Sequence, residues 1–168
     1  MNIYLTGMMG CGKSSIGRLL ARLRNGNFID LDIYIEAKCS KSISKIFEED
    51  GEPVFRRHET EVLKDVSRQP NQVVATGGGI VLRDENVETM RNSGIIVFID
   101  RAVEDIVRDV GIGTRPVLRG DKERIYTVYK ERVDRYRKMS DMAFENRYDG
   151  PNEAATALHK RLEEEFTR

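Results

Sequence analysis

A chain of 168 residues has room for one hydrophobic core of ordinary domain size, and no internal repeat divides it. Its 28 Lys+Arg against 28 Asp+Glu give a formal net charge of +0, which excludes the global basic balance of a nucleic-acid binder and confines any basic site to a local cluster. No apolar run is long enough to span a bilayer, and the amino terminus enters a strand pattern directly instead of a basic-then-apolar leader, so a cytoplasmic protein is expected.

The first strand pattern, Asn2 to Thr6, leads straight into Gly7-Met8-Met9-Gly10-Cys11-Gly12-Lys13-Ser14, which fits G-x-x-x-x-G-K-[ST]. Glycines at these positions let the backbone curl until successive N–H groups point at phosphate oxygens, and the helix that starts near Lys13 adds its positive end. That helix carries Ile16, Leu19, Leu20 and Leu23 on one face. Lys13 is expected to reach the β- and γ-phosphates and Ser14 to ligate Mg²⁺, so the chain binds a nucleoside triphosphate. Cys11 and Cys39 have no metal-ligand spacing with His58 and His159, and both histidines read as surface residues.

Further along, strand patterns at Phe28 to Asp30, Val73 to Thr76, Ile95 to Ile99 and Met142 to Glu145 alternate with helical ones, which predicts a parallel sheet covered by helices on both faces. A helix is expected over Ile33 to Lys38. Ser42 is placed to cap a short helix carrying Ile46 and Phe47, and Gly51-Glu52-Pro53 opens a longer one through about Val66. Asp100 reads as the cap of the helix after the fourth strand. The glycine-punctuated stretch from Gly111 to Pro116, with Gly120 beyond, reads as a mobile loop. Helices over Lys122 to Lys138 and Asn152 to Phe166 complete the chain.

Four features fall where open α/β sheets keep their chemistry, beyond the carboxyl ends of strands. Asp30 and Asp32 share a side if the chain stays extended, which suits one carboxylate for magnesium and the other for the proton of an attacking hydroxyl; the alternative is a capping pair for the next helix. Gly77-Gly78-Gly79 follows the third strand and lets a ligand approach the backbone. Of the adjacent Arg56 and Arg57 only one can face a cleft, and Glu59 lies three residues after Arg56, where it can orient the guanidinium. Arg115, in the loop, can neutralise charge on a transferring phosphoryl group.

Together, Gly7 through Ser14, Asp30-Leu31-Asp32, Asp50-Gly51-Glu52 with Phe55-Arg56-x-x-Glu59, Gly77-Gly78-Gly79, Arg115-Pro116-Val117-Leu118, and Arg132 with Tyr136 resemble the shikimate kinases, small kinases with a phosphate-binding loop. The resemblance implies a three-layer α/β/α fold with a five-stranded parallel sheet of the nucleoside-monophosphate-kinase type. It implies a single domain over 1–168, with a substrate-binding helical region at about 31–62 and a lid at about 110–122. The reaction implied is transfer of the ATP γ-phosphoryl group to the 3-hydroxyl of shikimate, with Mg²⁺, by a cytoplasmic monomer that has no nucleic-acid or membrane partner.

By the same resemblance, Lys13, Asp32 and Arg115 are the catalytic set, with Asp32 as base. Gly7, Gly10, Cys11, Gly12, Lys13, Ser14 and Ser15 hold the nucleotide phosphates, and Arg108 and Pro151 border adenine. Ser14 and Asp30 hold the metal. Asp32, Phe47, Phe55, Arg56, Gly77, Gly78, Gly79 and Arg132 receive shikimate, Arg56 and Arg132 as a carboxylate clamp. One departure is that Asp134 stands where the family has a proline between the late arginine and Tyr136, which makes Arg135 a rival to Arg132. Other small-molecule kinases, for gluconate or nucleotides, share the phosphate loop without the remaining set. A nucleotide switch would use Asp100, at the end of an apolar strand, to hold magnesium.

Overall fold

The computed structural model describes residues 1–109 and 122–166. The segment 110–121, with Arg115, nearly all of the expected lid and the glycine-punctuated loop, lies outside the described residues. Five strands, β1 (Asn2–Thr6), β2 (Asn27–Asp30), β3 (Gln72–Ala75), β4 (Gly94–Asp100) and β5 (Met142–Glu145), form one parallel sheet in the order β2-β3-β1-β4-β5. The five expected strands are therefore present, each within a residue at either end.

Helices α1 (Lys13–Leu23), α2 (Leu31–Cys39), α3 (Ile43–Lys45), α4 (Glu52–Ser67), α5 (Asp84–Ser93), α6 (Val103–Asp109), α7 (Lys122–Met139) and α8 (Pro151–Phe166) join and cover the strands. A π-helical turn over Ile46–Asp50 continues α3, and a 3-10 turn over Ile80–Leu82 precedes α5. Each position of β1 is buried, because α1 and α8 pack together over one face while helices including α4 and α5 cover the other. The core runs through Ile3, Leu5, Ile16, Leu20, Val74 and Ile96.

Local chemistry explains some helix starts. Ser42 Oγ accepts from the Lys45 N–H at 3.3 Å, as the sequence predicts, and Pro53 stands in the first turn of α4. Two readings need correction. Asp100 does not cap α6: its carboxylate accepts from Tyr129 Oη at 3.5 Å and Arg137 Nη2 at 3.2 Å, because α7 brings both donors across the end of β4. His159 is not a surface residue. It sits half-buried in α8 with its Nδ1 sequestered.

Gly94 opens β4 directly opposite Asn2. A Cβ there would stand 2.2 Å from the Asn2 carbonyl oxygen and 2.7 Å from its carbon, and the partner is backbone in a paired strand that cannot rotate away. Gly94→Ala should therefore destabilise the fold by about 1–3 kcal/mol, seen as a lower urea midpoint with an unchanged denaturant slope. An unchanged midpoint would show that the β1–β4 register does not hold at this end.

Candidate active site

The loop after β1 turns through left-handed backbone at Gly7 (φ 134°), Gly10 (φ 76°) and Gly12 (φ 106°), conformations that side-chain-bearing residues rarely adopt. Two of its carbonyls are tied down from the neighbouring strand ends. Asn146 Nδ2 donates to the Cys11 carbonyl at 3.0 Å and Arg101 Nη1 to the Gly10 carbonyl at 3.1 Å. Because a peptide's N–H points opposite to its carbonyl, the bond to the Cys11 carbonyl directs the Gly12 N–H the other way, while the Cys11 N–H closes the turn on the Met8 carbonyl at 3.3 Å. Lys13 Nζ donates to the Gly7 and Met8 carbonyls, each at 2.8 Å, and its side chain is buried. The sequence reading did not single out Arg101 or Asn146, although both stand just past the carboxyl ends of β4 and β5, where such residues are to be sought.

At the mouth of the loop, Ser14 Oγ donates to Asp30 Oδ2 at 2.6 Å. The expected extended pairing of Asp30 with Asp32 is not found, because β2 ends at Asp30 and α2 begins at Leu31. Asp30 is the N-cap, accepting from the Asp32 N–H at 3.2 Å, while Asp32 stands in the first turn with a carboxylate oxygen beside Gly77. The two carboxylates thus stand in different places, Asp30 beside Ser14 and Asp32 beside the glycine turn.

On the other side of that turn, Arg56 Nη1 donates to Glu59 Oε2 at 2.8 Å and its Nη2 to Glu52 Oε1 at 3.1 Å. Arg57 is exposed, so the helix presents one arginine of the pair. A Cβ on Gly79 would stand 2.4 Å from both terminal nitrogens of Arg56, a place that only glycine leaves open. Arg132 reaches the same turn from α7, donating from Nη1 to the Gly78 carbonyl at 3.3 Å. Arg135 is directed elsewhere, donating to the Val81 carbonyl and pairing with Asp84 at 2.6 Å. Phe47 and Phe55 meet with ring centroids 4.7 Å apart, and Arg56 lies 5.1 Å above the Phe55 ring. The apolar wall and the two arginines therefore come together.

A cavity of about 490 Å³ adjoins the loop on its far side, lined in part by Arg101, Arg108, Asn146 and Tyr148. Arg108 is paired with Asp105 at 2.9 Å and Asp109 at 3.3 Å. Pro151 begins α8 just past the lining residue Asp149. The described residues hold no cluster of three or more His, Cys, Asp or Glu able to cage a metal.

Glu59 is fully buried, and one of its oxygens, Oε1, has no hydrogen-bond partner. Burial pushes its carboxyl above the ordinary glutamate value, against the opposing pull of Arg56. Between the unfolded value near 4.5 and the raised folded one, the native state binds more protons than the unfolded chain, so this group's contribution to stability falls as pH rises. The unfolding free energy of the wild type, measured relative to Glu59→Gln by urea titration from about pH 4 to 8, should decline across that window. A difference that grew with pH would mean that Arg56 overcomes the burial.

The model of the shikimate kinase family, described as "Shikimate kinase", matches residues 9–163. A shikimate kinase of Clostridium botulinum (strain Eklund 17B / Type B) is 51% identical over 136 residues, covering 81% of this chain and 82% of that one. Shikimate kinase from Acinetobacter baumannii, solved in complex with shikimate, superposes with a TM-score of 0.90 at 33% identity over 98% of this chain and 94% of that one. Shikimate kinase from Aquifex aeolicus does so with a TM-score of 0.85 at 36% identity, over 97% and 96% of the two chains. With the phosphate loop, the glycine turn and the Arg56–Glu59 pair in place, these matches show that the chain belongs to the shikimate kinase family.

Proposed function

We propose that this protein transfers the γ-phosphoryl group of ATP to the 3-hydroxyl of shikimate, giving shikimate 3-phosphate and ADP on the route to the aromatic amino acids. The observation that carries the reading is the convergence of Arg56 and Arg132 on one glycine turn, beside an aromatic wall and across from a phosphate-binding loop. A small polyhydroxylated carboxylate fits that place: guanidinium forks grip its carboxylate, the Phe47–Phe55 surface takes the ring face, and Gly77, Gly78 and Gly79 leave room for its hydroxyls. In this reading Asp32 accepts the proton of the attacking hydroxyl. Lys13 exchanges its loop carbonyls for phosphate oxygens, aided by Gly7, Gly10, Cys11, Gly12 and Ser15, and Arg115 adds a second cation. The adenine lies in the cavity with Arg108 and Pro151. A cytoplasmic monomer suits this chemistry.

Ser14 and Asp30 fit Mg²⁺, because two hard oxygen donors lie 2.6 Å apart at the phosphate mouth and nothing nearer to a full protein cage exists among the described residues. When bound there, the ion would neutralise charge on the β- and γ-phosphates.

Coupled ADP release with shikimate, gluconate and nucleoside monophosphates offered as acceptors tests the proposal. Turnover should require shikimate, and turnover on gluconate or a nucleotide instead would overturn it. Arg56→Lys keeps the charge and loses the planar fork, so the Michaelis constant for shikimate should rise by about ten- to hundredfold, with that for ATP nearly unchanged. An effect confined to ATP would remove Arg56 from the acceptor site. Asp30→Ala should cut turnover at least about a hundredfold and raise the magnesium requirement. Asp100→Ala, which breaks bonds to Tyr129 and Arg137, should leave that requirement alone. The reverse pattern would transfer the metal to Asp100.

A further inference from the structure

Gly77 to Ile80 form a β-turn, closed by a hydrogen bond from the Ile80 N–H to the Gly77 carbonyl at 3.2 Å. Gly79, the third residue, has φ −103° and ψ 3°, the values of a type I turn. With glycine at both central positions, rotation of the middle peptide to the type II arrangement meets little steric resistance, since Gly79 tolerates the positive φ that arrangement requires. Two donors oppose that rotation. Tyr136 Oη and Arg132 Nη1 both donate to the Gly78 carbonyl, which is the oxygen of the middle peptide.

The carbonyl and N–H of one peptide point in opposite directions. Held as it is, the middle peptide turns its oxygen toward α7 and its Gly79 N–H away, on a residue whose open face lies under the Arg56 guanidinium. Among the described residues that N–H donates to no protein group. Flipped, the same peptide would set a carbonyl oxygen where an anionic acceptor has to sit.

We propose that Tyr136 is a positioning residue for the acceptor: its hydroxyl latches the Gly78–Gly79 peptide so that the Gly79 N–H, and not the Gly78 oxygen, faces the bound carboxylate-bearing alcohol. The ring is well placed for this. It is fully buried and stacked on Phe98 with centroids 5.2 Å apart. Burial, partly opposed by Arg132, pushes the phenol up to about 12, so the hydroxyl keeps its proton throughout the neutral range.

The inference rests on the shikimate reading, and the test separates the two. Tyr136→Phe keeps the stack and removes only the hydroxyl. The Michaelis constant for shikimate should rise about three- to tenfold, the value of one neutral hydrogen bond, with that for ATP unchanged. In the ligand-free variant, relaxation dispersion at the Gly79 amide nitrogen should reveal microsecond-to-millisecond exchange that the wild type lacks. A lower melting temperature with an unchanged shikimate constant and no exchange would overturn the latch. So would an equal rise for both substrates. Should the variant fail to fold, the wild-type Gly79 amide must shift when shikimate is titrated in, and a silent amide would also overturn it. Failure of the wild type to use shikimate at all would count against the functional reading, while the exchange measurement, which needs no substrate, would still decide the latch.

Discussion

Burial of β1 on both faces is the constraint from which the rest of the molecule follows. A strand covered by helices above and below can present chemistry only at its end, and the end of β1 lies between β3 and β4, where the chain's crossings diverge to the two sides of the sheet. The phosphate loop leaves from that point, the glycine turn leaves β3 beside it, and Asp30 closes β2 one strand further out. The phosphate loop and the glycine turn are neighbours because their strands are neighbours. Arg101 and Asn146 bring the other half of the sheet into the same arrangement, fastening loop carbonyls from the ends of β4 and β5.

Charge at the site is balanced at close range. Arg56 is gripped by Glu52 and Glu59, and Lys13 by carbonyl oxygens. Burial works against the charged Arg56 guanidinium, yet Glu59 and Glu52 together hold it above its ordinary value. Such a cation is fixed in direction before any substrate arrives, which is what alignment-dominated phosphoryl transfer asks of a protein. The same enclosure leaves Glu59 with one oxygen that has no hydrogen-bond partner.

Much of this was legible in the sequence. Fully buried parallel strands read as short apolar runs, and the phosphate loop and proline-led helix carry their own chemistry in their residue types. What escaped was set by tertiary contact. Helix α5 buries Val87 and Met90 but also Asn86, whose amide donates to the Ile80 carbonyl, so its apolar periodicity is too thin to read. Asp100 looked like a cap because nothing in one dimension says that α7 will bring Tyr129 and Arg137 to it. Arg132 and Arg135 are alike on paper; only the position of Asp84, at the start of that unforeseen helix, separates them. Asp30 and Asp32 face different neighbours because the helix begins one residue after the strand ends.

The Lys13 ammonium, cradled by the Gly7 and Met8 carbonyls, has already shed most of its water. An anion that displaced those carbonyls would substitute one pair of oxygens for another and would meet a cation with little hydration left to strip. The loop acts as its own solvent for that charge, and the lysine stem ties the start of the glycine-rich curve to the first residue of α1.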